Sequence, residues 1–135
     1  MKLALLADVY PPMRSSGAVL IHDLAHAMVQ RGHDLTVLVP APGISSNVEV
    51  ERTDGLTVVR IKTLDTRDKP YAWRMMAEGA MPFIMRRRLK KAKFEFASFD
   101  GLAWYSPSIF FGPLVAAIKR ESGRPAYLIL RDIFP

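Results

Sequence analysis

Two nearly unbroken apolar runs, KLALLAD at residues 2–8 and DLTVLVP at residues 34–40, flank a stretch with helical periodicity. A strand with one wet face alternates apolar and polar residues. A continuous apolar run needs cover on both faces, which is the condition of a parallel strand inside an α/β sheet. Between the runs, over residues 18–31, Leu20, Leu24, Ala27 and Met28 recur at helical spacing. Ile21 and Ala25 widen that stripe, and His22, Asp23, His26 and Gln30 take the opposite side. Gly32 supplies a stop after the last turn. Strand, helix and strand within the first 40 residues make a βαβ unit.

The rest of the chain continues the pattern. NVEVERTDGLTVVRIK, residues 47–62, places Asp54-Gly55 between two β-prone stretches, and the pair suits the positive φ values of a type I′ hairpin turn. Residues 71–93 read as helix, with Gly79 and Pro82 predicting a kink or a division into two helices. GLAWYSP (101–107) reads as a short strand, and SIFFGPLVAAIKRES (108–122) as a helix with an irregularity at Gly112-Pro113. PAYLILRD (125–132) reads as a final buried strand. The expected fold is α/β, a Rossmann-like three-layer α/β/α arrangement with a mostly parallel sheet. With 135 residues, half of them hydrophobic, there is material for one core and one domain. The chain stops at Pro135, directly after an apolar strand and before a helix to cover it, so a partial domain is expected. The absence of cysteine excludes a disulfide framework and thiolate metal ligation, and is compatible with a reducing cytoplasm. The first apolar run is too short for a signal sequence or a membrane span.

The formal net charge of +6 is local. Residues 86–93, RRRLKKAK, hold Arg86, Arg87, Arg88, Lys90, Lys91 and Lys93, and the 13 basic residues elsewhere match the 13 acidic ones. Such a block favours phosphate-bearing partners over a broad nucleic-acid footprint, and no nucleic-acid partner is expected. Trp73, Met75, Met76, Met81, Phe83, Ile84 and Met85 precede it. Adaptable apolar side chains followed by a cationic end suit a membrane interface, with the bases on anionic head groups or a lipid diphosphate. The competing reading is a solvated helix whose methionines pack on the domain.

In open α/β sheets, ligands bind beyond the carboxyl ends of the strands, so the junction ADVYPPMRSSGAV (7–19) is the first candidate site. Pro11 and Pro12 stiffen the strand exit, Gly17 permits close backbone approach, and the free N–H groups of a helix start receive anions such as phosphate. Ser15 or Ser16 can equally cap the helix, with Gly17 easing a turn. Neither G-x-G-x-x-G nor G-x-x-x-x-G-K-[ST] is present, which disfavours a nicotinamide oxidoreductase. His22 and His26 have a metal-capable spacing, but they lie on the polar side of a surface helix without an indicated third ligand, and no metal is expected.

YPPMRSSGAVLIHDLAHAMVQRGHDLTVLV, TDGLTVVRIKT and FDGLAWYSPSIFFGPLVAAIKRESGRPAYLILRDIFP, in that order, resemble the N-terminal half of family-four GT-B glycosyltransferases over most of the chain. Where that family commonly carries paired glycines, the first is Ser16 here. The resemblance implies one half of a GT-B fold, an acceptor-side domain truncated at its C-terminus, with the donor-binding domain absent. It implies a retaining transferase that takes sugar from a nucleotide-sugar donor without a further cofactor. The RDIFP ending implies bacterial surface polysaccharide synthesis on a polyprenyl-diphosphate-linked acceptor. The setting would be the cytoplasm, at the inner face of the membrane. Ser15, Ser16 and Gly17 at the helix start would contact acceptor or phosphate, and Ser106, at the end of its strand, would reach the acceptor pocket or cap the following helix. The resemblance places Arg131 and Asp132 near the cleft, where Arg131 would meet a phosphate and Asp132 would orient or deprotonate an acceptor hydroxyl; the alternative is Asp132 as the cap of a following helix with Arg131 in an ion pair. A noncatalytic α/β module binding a membrane surface or a protein is the alternative.

Overall fold

A computed structural model describes residues 1–105 and 109–130. In chain order the elements are β1 (Lys2–Leu6), α1 (Ser16–Gln30), β2 (Asp34–Pro40), β3 (Val48–Thr53), β4 (Leu56–Ile61), α2 (Tyr71–Lys91), β5 (Gly101–Tyr105), α3 (Gly112–Ser122) and β6 (Ala126–Ile129). Short 3-10 turns at Phe96–Ser98 and Ile109–Phe111 precede β5 and α3. The six strands form one sheet in the order β3-β4-β2-β1-β5-β6, and every pairing is parallel except β3 with β4.

The alternation of side chains along a strand explains why the first two runs are apolar throughout. Ala4 and Leu6 of β1, with Leu38 of β2, point into a core shared with α2 and α3, where Met85, Leu89, Phe111, Leu114 and Ile118 are buried. Leu5 and Ala7, with Leu35 and Val37, point the other way, onto Ile21 and Ala25 of α1. Both faces are dry, so both registers of the pleat are apolar, with Thr36 the one buried polar side chain among the described residues.

The Asp54-Gly55 hairpin forms as expected, with φ of 27° and 84° at the two turn residues and Thr53 paired to Leu56. Other details differ. The buried stripe of α1 runs through Ala18, Ile21 and Ala25, whereas Leu20 and Ala27 are exposed. Two adjacent stripes of this helix carry helical spacing, and the one with small residues lets the backbone lie closer to the sheet. Helix α2 is a single element through Gly79 and Pro82, with the Pro82 ring buried against the core. Gly112-Pro113 is the start of α3, with proline in the first turn, where a missing N–H costs nothing. β6 is an edge strand, with β5 its one strand neighbour among the described residues, and not a buried one: Tyr127 is 71% and Leu128 41% exposed.

Candidate functional site

The carboxyl tips of β1, β2 and β4 and the loop after β1 surround a set of adjoining hollows. The loop is anchored from a distance. Tyr10 is buried, the Met13 N–H donates to the Tyr10 carbonyl at 3.1 Å, and the Pro11-Pro12 peptide is cis. Arg60, on β4, donates through Nη2 to the Pro11 carbonyl and through Nη1 to Glu51 of β3, each at 2.8 Å. One guanidinium thereby ties the loop to the antiparallel hairpin.

The first hollow, about 360 Å³, lies between the tips of β1 and β2 and the inner side of α2. Asp8, Met13, Pro40, Thr63, Thr66, Glu78 and Met81 are among its walls. The second, about 530 Å³, shares Met13, Pro40 and Pro42 with the first and continues over Tyr10, Arg60 and Arg67. A third, about 390 Å³, opens on the other side of the loop, between Pro11, Pro12, His22, His26 and Arg60.

Asp8 is the chemically distinctive group. Its Oδ1 is shielded from solvent and has no hydrogen-bond partner among the described residues. Burial raises the carboxyl above its ordinary value; its own backbone amide opposes the rise, and the nearby Glu78 charge adds to it. A shielded carboxylate oxygen with an unfilled lone pair is costly unless a ligand donor completes it. Sugar hydroxyls are donors of that kind.

Ser15, Ser16 and Gly17, singled out from the sequence, stand at the start of α1. Ser15 is the N-cap of α1, its Oγ accepting the Ala18 N–H at 3.1 Å, and Ser16 is exposed in the first turn. A Cβ on Gly17 would lie 3.1 Å from Val9 Cγ2 and 3.5 Å from the Tyr105 hydroxyl, so glycine here serves close helix–strand packing. None of these three lines the described hollows. Ser106, Arg131 and Asp132 lie outside the described residues. His22 and His26 stack with ring centroids 4.1 Å apart, and the His26 Nδ1 meets the His22 carbonyl at 2.9 Å. Among the described residues no three His, Asp or Glu side chains gather as a metal site. Arg86, Arg87, Arg88, Lys90 and Lys91 are on the last turns of α2, and Lys93 follows it.

Sequence reasoning passed over Asp8, Tyr10 and Arg60. The available signal for Asp8 was an acid closing an otherwise apolar run. Arg60 carried none, because its contact with Pro11 spans 49 positions.

No family model matches the chain, and no curated protein matches it in sequence. Solved structures match in fold. The catalytic domain of starch synthase IV from Arabidopsis thaliana, bound to ADP and acarbose, superposes with a TM-score of 0.64 at 12% identity, covering 96% of this chain and 34% of that one. An E. coli structure described as trehalose-6-phosphate bound with UDP-2-fluoro glucose gives 0.64 at 8% identity, covering 100% and 34%. The C-terminal domain of a hydrogenase from Pyrococcus furiosus gives 0.59 at 14% identity, covering 95% and 90%. The chain thus has a Rossmann-like three-layer α/β/α fold, similar to that found in GT-B glycosyltransferase structures. It spans about a third of the length of the first two structures.

Proposed function

We propose that this chain is the acceptor-side, N-terminal domain of a glycosyltransferase that moves sugar from a nucleotide-sugar donor to an acceptor alcohol without a resident cofactor. The donor would be held mainly by a second domain, so residues 1–135 alone would not turn over. The acceptor would be a polyprenyl-diphosphate-linked sugar of bacterial surface polysaccharide synthesis, met at the inner face of the cytoplasmic membrane. The carrying observation is Asp8, whose shielded Oδ1 lacks a partner at the wall of the first hollow, beside the loop through which the chain resembles the transferases. Asp8 would accept a hydrogen bond from an acceptor hydroxyl and orient it toward the donor's anomeric carbon. On the family resemblance Asp132, Arg131 and Ser106, which lie outside the described residues, would add acceptor contacts.

The test is sugar-nucleotide turnover by a full-length protein containing this domain, across a panel of donors and lipid-linked acceptors. On this reading Asp8→Asn lowers kcat/KM for the acceptor by about 10- to 100-fold, the worth of a hydrogen bond to a charged group, and leaves the donor KM in place. Unchanged acceptor kinetics would remove Asp8 from the site. Asp132→Asn, run alongside, decides a chemical role for that residue in the same way. The fold is shared with the Pyrococcus domain, nearly all of which this chain covers, and a shared fold alone leaves open the second reading, a noncatalytic module that binds a membrane surface or a protein. Absence of turnover with every donor would select it, and saturable dinucleotide binding would instead point to an oxidoreductase.

A further inference from the structure

Helix α2 sorts its solvent side along its length, not around its circumference. Its core contacts are made by Ala77, Pro82, Met85 and Leu89. Away from them, Met76 and Phe83 are exposed, Phe83 at 61%, and farther along the same side come Arg87 and Lys90. At 3.6 residues per turn, Met76, Phe83, Arg87 and Lys90 lie within about 60° of arc. Single apolar residues on a surface are ordinary, but an aligned set with no packing duty marks a contact surface.

The basic end is incompletely neutralised. Glu121 of α3 pairs with both Arg86 at 3.5 Å and Lys90 at 3.1 Å, and Arg88 is held by Asn47. Arg87, Lys91 and Lys93 have no ion pair among the described residues. Phe83, Arg86, Arg87, Lys90 and Lys91 border a cleft of about 490 Å³. No helix of the described residues is long and apolar enough to cross a membrane, so any lipid contact through this helix is made from one side.

We infer that the outer side of α2 docks on an anionic lipid bilayer, with Met76 and Phe83 at the acyl boundary and Arg87 and Lys91 on the head groups. The charge complementarity is with phosphate, and the apolar half is what distinguishes a bilayer from nucleic acid, which would use the basic side chains and leave Met76 idle. The docking rests on α2 alone. Its consequence for acceptor delivery rests on the transferase reading: Ala77, Glu78 and Met81 on the inner side of α2 wall the first hollow, about one helix diameter, ~10–12 Å, from the lipid.

The test is co-sedimentation of the chain with vesicles of phosphatidylcholine alone or mixed with about a third phosphatidylglycerol, at low and high salt, with no sugar nucleotide or acceptor present. Binding is expected on the anionic vesicles, weakened by salt. Arg87→Glu with Lys91→Glu should lower partitioning at least about tenfold, and Phe83→Ser about tenfold, with unchanged circular dichroism in each case. The inference is overturned by no binding to anionic vesicles, by equal binding to neutral ones, or by variants that bind like the wild type. Tighter binding of a single-stranded oligonucleotide, indifferent to Phe83→Ser, would also overturn it. Because no turnover is read, failure here leaves the transferase reading standing, and failure of turnover leaves the docking standing.

Discussion

At the scale of single residues, the site is built from groups that are expensive to hold in place. The Asp8 carboxyl titrates above its ordinary value mainly through burial, so the folded state binds a proton there more readily than the unfolded chain does. The sign follows. Asp8 weakens the fold as pH rises from its unfolded value of 3.8 through its higher folded value, and the loss persists at neutral pH. Urea unfolding across that acid range should show Asp8→Asn lacking this fall. Arg60 behaves oppositely. Its two Nη groups serve Pro11 and Glu51 separately, so Arg60→Ala should cost about 1.5–3 kcal/mol in the same measurement. Arg60→Lys should not restore it, because one ammonium lacks the fork that reaches both.

At the scale of elements, α2 shows how packing overrides local preference. Proline inside a helix is about 3 kcal/mol worse than alanine, yet the helix continues through Pro82 because the ring is buried between α2 and the core. Replacing it with alanine returns an N–H to the Glu78 carbonyl but exposes the loss of two methylenes, about 1.6 kcal/mol. The backbone term wins, so Pro82→Ala should stabilise the chain by about 1 kcal/mol, read as a higher urea midpoint. A lower midpoint would mean that the ring fills space nothing else can. The same competition explains α1. Periodicity offered two neighbouring apolar stripes, and the sheet took the one bearing Ala18 and Ala25, leaving Leu20 outside.

At the scale of the whole molecule, the sheet has two dry faces, and adjacent residues of one strand belong to different cores. Leu5 and Leu6 are both fully buried, on opposite sides. Leu5→Ala and Leu6→Ala should therefore each cost about 2–5 kcal/mol of unfolding free energy, whereas Tyr127→Ser at the open β6 edge should change it by less than about 0.5 kcal/mol. A cheap Leu5→Ala would mean that the α1 side is not a core. That two-sided architecture was legible in KLALLAD and DLTVLVP, as was the hairpin in Asp54-Gly55, because burial on both faces and positive φ each leave a mark within a few neighbouring residues. The open edge at β6 was not, since an apolar strand reads alike whether or not anything covers it. Nor were the walls of the hollows. Asp8 and Pro11 of the loop after β1, Arg60 of β4 and Glu78 of α2 wall adjoining hollows, and the Arg60–Pro11 contact alone spans 49 positions. Local chemistry writes strands and turns into the order of residues, but a cavity is enclosed by parts distant in the chain, and its position is set only when the sheet and helices pack.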